Sequence, residues 1–320
     1  MIELTVSGVE TYWWLPAVVA FGISLLASTG GLSGAFFLLP FQVSMLGFTN
    51  PAVSPTNLVF NIVAIPSGVY RFWREGRMVW PLVWTIALGT IPGLLVGAYV
   101  RINYLPDPSA FKFFVGMVLL YIGGRLGVDV LKHRTGGKSN SKASREFKVV
   151  PLEFGLRRIG YRFDGVDYFV PTMVLFFLSL VVGVIGGIYG IGGGAILAPV
   201  LVSVFGLPVY TIAGATLLST FISSVGGVIV YSIMALFYKD TGMAIAPDWI
   251  LGAMFGVGGS IGIYIGARLQ RYLPVRLIKA ILTACLLFIA VRYIVGVGGV
   301  GEILKLIMPM ISFMSECSKN

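Results

Sequence analysis

Apolar residues gather into long segments at about Tyr12 to Phe48, Pro55 to Phe72, Met78 to Val100, Phe111 to Leu131, Phe169 to Phe205, Tyr210 to Phe237, Trp249 to Leu269 and Leu277 to Val297, and polar residues fill the joints. Runs of about twenty apolar residues with few charges predict helices that cross a bilayer. The first and fifth segments are much longer than one crossing, and glycines break both. The stretch "GIYGIGGGAILAP", Gly187 to Pro199, holds five glycines in its first eight residues and lies in a run with no charge from Phe169 to Phe205. Each glycine weakens a helix interior by about 1 kcal/mol relative to Ala, so the stretch predicts a turn or a close backbone approach.

The two broken segments match each other. With Pro40 set against Pro199, Gly31, Gly34, Leu38, Val43, Ser44 and Gly47 fall on Gly190, Gly193, Leu197, Val202, Ser203 and Gly206 without a gap. The same register puts Asn57 on Thr216 and Asn61 on Thr220. After a small insertion, Gly89, Gly93 and Gly97 fall on Gly258, Gly262 and Gly266. The chain therefore reads as an N-terminal repeat (1–131), a linker (132–168), a second repeat (169–297) and a C-terminal apolar segment and tail (298–320).

Charge sets the direction of each half. The linker carries nine Lys and Arg against four acids, which predicts a cytoplasmic loop. Two crossings earlier, Arg71, Arg74 and Arg77 also fall inside, which puts the N-terminus outside. The equivalent joint of the second half, Lys239 to Asp248, has one base and two acids and falls outside. Equivalent joints thus face opposite sides, the signature of an inverted-topology repeat with a substrate site near the midplane. Parity requires each broken segment to cross an even number of times. The arm Gly194 to Gly206 reaches only about 20 Å, short of a roughly 30 Å hydrocarbon core. Re-entrant hairpins whose tips meet near the midplane are the favoured reading, and two full crossings give the same parity.

Composition narrows the class. Hydrophobic residues make up 57% of the 320 and charged residues 11%, against roughly a quarter charged in soluble domains. The net charge of +10 sits in joints beside apolar segments, not on an aromatic-studded polar face, so nucleic acid is not an expected partner. The two cysteines, Cys285 and Cys317, have no framework or metal spacing. "MIELTVSGVETYWW" lacks a basic n-region and reads as a short tail before the first span.

The thirteen acids all avoid the middle of a predicted span, and carboxylates are the usual midplane partners of protons and sodium. The centre offers glycine amides, hydroxyls and carboxamides. A helix opened by a glycine turn presents N–H groups without intrahelical partners and a positive dipole end, which suits an oxyanion. The candidate backbone contacts are Gly31, Gly34, Gly190, Gly192, Gly193 and Gly194. Candidate side chains are Ser33, Asn57, Asn61, Thr216, Ser219 and Thr220, with Thr56 and Ser223 as further candidates. Such groups also bridge helices in membranes, and both readings stand at this stage. Four-residue glycine spacing at 89, 93, 97, 258, 262 and 266 predicts close helix packing. Arg125 and Arg292 could attract an anion, although snorkelling is the simpler account. His133, the only histidine, falls in the linker. No catalytic constellation, metal site or cofactor site is read, so the chain is not expected to be an enzyme.

The twice-given pattern of glycine turn, short apolar arm and proline, "GIYGIGGGAILAPVLVSVFGLP" and "STGGLSGAFFLLPFQVSMLGF", with "RFWREGRMVWPLVWTIALGTIPGLLVGA" after the first copy, resembles the TauE/SafE sulfite exporter family. The resemblance implies export of sulfite or a related organosulfonate such as sulfoacetate across the plasma membrane. The first copy has "GGLSG" where the second has "GIGGG", so the two half-sites are not expected to be alike. The expectation is therefore an all-α polytopic membrane protein of two inverted repeats, each a re-entrant hairpin plus three transmembrane helices. It would be a multi-pass plasma-membrane transporter whose partners are a small anion and lipid. Importer and channel readings, and a homodimer, stay open.

Overall fold

The computed structural model describes residues 2–29, 33–132, 149–163, 165–269 and 275–296. Most of them are helical. The first broken segment forms α1 (Leu15–Thr29) and α2 (Ala35–Ser44), followed by α3 (Val53–Arg74), α4 (Trp80–Asn103) and α5 (Pro108–Lys132). The second forms α6 (Thr172–Tyr189) and α7 (Gly193–Phe205), followed by α8 (Val209–Phe237), α9 (Trp249–Leu269) and α10 (Val275–Gly296). Among the described residues, α4, α5, α6, α8 and α9 are long and apolar enough to cross a membrane. The chain is a polytopic membrane protein.

Local chemistry sets the helix ends. Asp107 opens α5 by accepting from Ser109 N and Ala110 N at 2.9 and 3.0 Å, and Asp248 opens α9 by accepting from Leu251 N at 3.0 Å. Both are side-chain caps of amides that lack helical partners. Gly190 closes α6 in the left-handed conformation, φ +80°, with its N–H and that of Ile191 both donating to Gly186 O. This close leaves the helix without a strained side chain.

The glycine ladders pack as their spacing implies. Gly89, Gly93 and Gly97 of α4 lie on the α6 backbone at Phe176, Leu180 and Val184, while Gly258, Gly262 and Gly266 of α9 lie on the α1 backbone at Ala17, Phe21 and Leu25. A Cβ at any of the six would come within 3.0 Å of another helix. Overpacking of this kind costs about 1–3 kcal/mol. Gly93→Ala and Gly262→Ala are therefore expected to lower the melting temperature of the detergent-solubilised protein, while Gly124→Ala, whose Cβ meets nothing within 4 Å, raises it slightly because Ala favours a helix interior.

Two small sheets depart from the all-α expectation. Strands β1 (Ile2–Leu4) and β2 (Val9–Thr11) form an antiparallel hairpin where the sequence reads as a tail. Strands β3 (Val150–Phe154), β4 (Ile159–Phe163) and β5 (Val166–Val170) form an antiparallel sheet in the order β3-β4-β5 that starts in the expected linker and runs two residues past its expected end. In β4 the alternation buries Ile159, Tyr161 and Phe163 and exposes Arg162, and burial pushes the Tyr161 phenol up to about 12. On the sheet surface a hydrogen bond from Arg162 holds the Asp167 carboxyl below its ordinary value. His133 and the 298–320 segment lie outside the described residues.

These sheets mark two faces of the helical body. Thr172 at the start of α6 bonds Gly155 O and Arg157 O of the three-stranded sheet's β3–β4 turn, and Thr211 at the start of α8 shares a 2.8 Å hydrogen bond with Tyr161. Both ends of the α6–α7 hairpin are thus tied to one sheet. The α1–α2 hairpin is tied to the opposite region, residues 244–248. Ala52 N donates to Ala244 O at 3.0 Å, and Ser7, in the β1–β2 turn, donates its N–H and Oγ–H to Asp248.

Candidate functional site

The two hairpin tips meet against α3 and α8. α3 turns its polar residues inward, and Ser54, Thr56, Asn57 and Asn61 are each 0% exposed. Asn57 joins the tips directly. Its Nδ2 donates to Ala35 O in the first turn of α2 at 3.1 Å and to Gly190 O at 3.0 Å. Its Oδ1 accepts from Gln42 Nε2 at 3.2 Å. One turn further, Asn61 Nδ2 donates to Ile191 O at 3.1 Å, leaving Asn61 Oδ1 buried without a partner. A third link runs the other way, from Tyr189 Oη to Phe36 O at 2.9 Å.

The second tip needs its glycines for two separate reasons. Gly190 and Gly192 have φ of +80° and +74°, conformations that strain a side chain. Gly193 and Gly194 instead permit close approach, against the Thr90 side chain of α4 and against Thr216 and Thr220 of α8. Gly192 opens α7 without a side-chain cap, and Gly193 N donates to Ser223 Oγ at 3.3 Å. The positive end of α7 therefore points at a hydroxyl cluster of Thr220, Ser223 and Ser224.

The remaining candidates divide. Thr216 and Thr220 donate to carbonyls one turn back in α8, Ile212 O at 3.0 Å and Thr216 O at 2.7 Å. Ser219 donates to Ala215 O and to Val83 O, and so bridges α8 to α4. Ser33 and Gly34 sit at the first tip. Ser33 is 0% exposed with no partner for its hydroxyl, and Gly34 lies on Ser24, whose Oγ is equally without one. Gly31 lies outside the described residues. Thr56 faces the 244–248 region, accepting from Asp248 N at 2.9 Å. Arg125 and Arg292 lie away on the packed α5–α10 pair, half-buried and exposed respectively.

Sequence reading missed Gln42, Thr90, Ser24, Ser224 and Tyr189. Gln42 was discoverable, being the one carboxamide in an otherwise apolar arm. Thr90 carries no such signal, because only packing shows that it faces Gly193.

Chemically the cluster is neutral. It offers the hydroxyls of Ser24, Ser33 and Ser224, two partnerless carboxamide oxygens at Gln42 and Asn61, and one helix N-terminus. Among the described residues no group of three or more His, Cys, Asp or Glu is placed to hold a metal ion.

The comparisons with known proteins bear on this arrangement. A curated relative, described as "Probable membrane transporter protein y4hK" from Sinorhizobium fredii, is 23% identical over 185 residues, which is 58% of this chain and 62% of the relative. No solved structure gives a significant match. The profile of the sulfite exporter TauE/SafE family matches residues 16–293, from α1 to the last turns of α10, and so takes in both hairpins and every element of the tip cluster. The chain is a membrane protein that belongs to the sulfite exporter TauE/SafE family.

Proposed function

We propose that the protein is a secondary transporter that moves a small sulfur-containing oxyanion, sulfite or an organosulfonate such as sulfoacetate, out across the plasma membrane by alternating access. The observation that carries the reading is the meeting of two helical hairpin tips over a buried, neutral, donor-bearing cluster. An anion in a low-dielectric site is stabilised by hydroxyls and helix amides, and fixed carboxylates would repel it.

Two inverted repeats with re-entrant hairpins account for the packing. The pairs α4–α6 and α9–α1 are equivalent under exchange of halves, and so are α4–α8 and α9–α3. Gly193 lies against Thr90, about 15 Å along a helix of 24 residues, so the tip stands near half depth. With the basic sheet side cytoplasmic, the β1–β2 hairpin lies outside.

A core without carboxylates suits export driven by voltage. One elementary charge crossing 100 mV is worth about 2.3 kcal/mol, and a dianion gains about twice that. In proteoliposomes with the membrane potential clamped by ionophore, saturable sulfoacetate or sulfite efflux is expected to rise with the potential. Efflux indifferent to voltage but driven by a pH gradient would refute the uncoupled mechanism, and influx against the potential would favour an importer.

A further inference from the structure

Arg101, in the last turn of α4, is 0% exposed. Its η nitrogens donate to Leu105 O and, at 3.5 Å, to Asn50 O, and its Cζ lies 3.8 Å from the centre of the Phe111 ring. Its Nε finds no hydrogen-bond partner. The ion pairs among the described residues include Arg71–Glu75, Arg77–Glu75, Arg158–Glu153 and Arg162–Asp167, and Arg101 takes part in none of these. The acid nearest in sequence, Asp107, turns its carboxylate to the start of α5. A guanidinium does not shed its proton in a protein. Arg101 is therefore a full positive charge buried among neutral acceptors, a costly state unless an anion joins it.

Its surroundings lead to the tip cluster. Asn50 O, which Arg101 reaches, also accepts from Val53 N at 3.1 Å in the opening turn of α3. One residue on, Ser54 packs its backbone on Gly190 and donates its hydroxyl to Ile188 O at 2.8 Å. On α8, Tyr231 donates to Gly187 O at 2.9 Å, three residues before Gly190. The guanidinium thus stands between the second tip and the face of the β1–β2 hairpin, where Tyr238 Oη bonds Asn103 Oδ1 at 2.9 Å.

We propose that Arg101 binds the transported oxyanion on the stretch of path between the tip cluster and the β1–β2 face. The assignment rests on the anion-transport reading above. The planar fork of Arg suits two oxygens of a sulfonate or sulfite group, and Lys keeps the charge without the fork. The tip cluster supplies neutral donors, and Arg101 supplies the charge that distinguishes an anion from a neutral solute of the same shape.

The test compares wild type, Arg101→Lys and Arg101→Gln in proteoliposomes with dianionic sulfoacetate. Expected is a rise in KM of about tenfold or more in Arg101→Gln and a smaller rise in Arg101→Lys, with the maximal rate little changed. Equal KM values in all three proteins, or a fall in maximal rate at unchanged KM, would overturn the assignment. Should the Gln variant not fold, wild-type protein answers through modification of Arg101 by a 1,2-dicarbonyl reagent, read by peptide mass spectrometry. Protection by sulfoacetate is expected. Modification indifferent to sulfoacetate, or no modification at all, would refute the assignment. Absence of any anion flux through wild type would overturn the transport reading and this assignment with it, whereas normal wild-type flux with an unaffected Gln variant would overturn this assignment alone.

Discussion

Gly193→Leu is expected to abolish anion flux in proteoliposomes while the protein still inserts into the membrane. A Cβ at Gly193 would stand 2.7 Å from Thr90 Cβ and closer still to the Thr90 methyl, and Leu adds three carbons beyond it. The start of α7 would be driven off α4, taking with it the bond from Gly193 N to Ser223. Gly193→Ala makes the same collision with one atom, and about 1–3 kcal/mol of lost stability is expected. Rescue identifies the cause. Thr90→Gly removes both opposing carbons, so Gly193→Ala with Thr90→Gly should recover most of the melting temperature and flux lost by Gly193→Ala. Normal flux in an inserted Gly193→Leu protein would sink the tip as the site.

Asn57 is the other position where a single side chain carries a large effect. Asn57→Ala removes three hydrogen bonds and leaves Ala35 O, Gly190 O and the Gln42 amide to find other partners. At about 1 kcal/mol for each bond, with a further penalty for each group left buried and unpaired, the loss is on the order of 3 kcal/mol or more. Asn57→Asp sharpens the test. The new carboxylate would face two carbonyl oxygens, which favours its protonated form and raises its folded pKa above the unfolded value of about 3.9. A group raised on folding contributes stability that is full below the unfolded pKa and is lost as pH rises through the folded one. The melting deficit of Asn57→Asp relative to wild type should therefore be smaller at pH 5 than at pH 8. An equal deficit at both would show that Asn57 does not face the two carbonyls.

Much of this arrangement was legible because it follows from period and spacing. The apolar segments became helices, the broken ones became helix pairs, and the glycine ladders met partner backbones because four-residue spacing puts small residues on one face. The tip glycines were found as a group, but the sequence could not separate Gly190, set by a left-handed φ, from Gly193, set by the approach of Thr90. The small sheets were written in plain signals that a search for membrane spans passes over. "IELTV" and "VET" alternate about Ser7 and Gly8, and "IGYRFDGVDYFV" alternates about an Asp-Gly turn. Arg101 was hidden for another reason. At the end of an apolar helix an Arg reads as a snorkelling residue, and only the fold shows its guanidinium enclosed by Asn50, Leu105 and Phe111.

The anchoring of both ends of each hairpin on one face has a mechanical consequence. In each hairpin the long arm is clamped along its length by a glycine ladder, α1 on α9 and α6 on α4, so bending is left to the short arms α2 and α7. Asn57 and Tyr189 hold the two tips together through hydrogen bonds to backbone carbonyls, worth about 1 kcal/mol apiece, and Asn61 ties the second tip to α3. Parting the tips breaks those bonds and leaves their acceptors buried, a cost of more than about 1 kcal/mol for each, while the anchors and the glycine ladders stay in place.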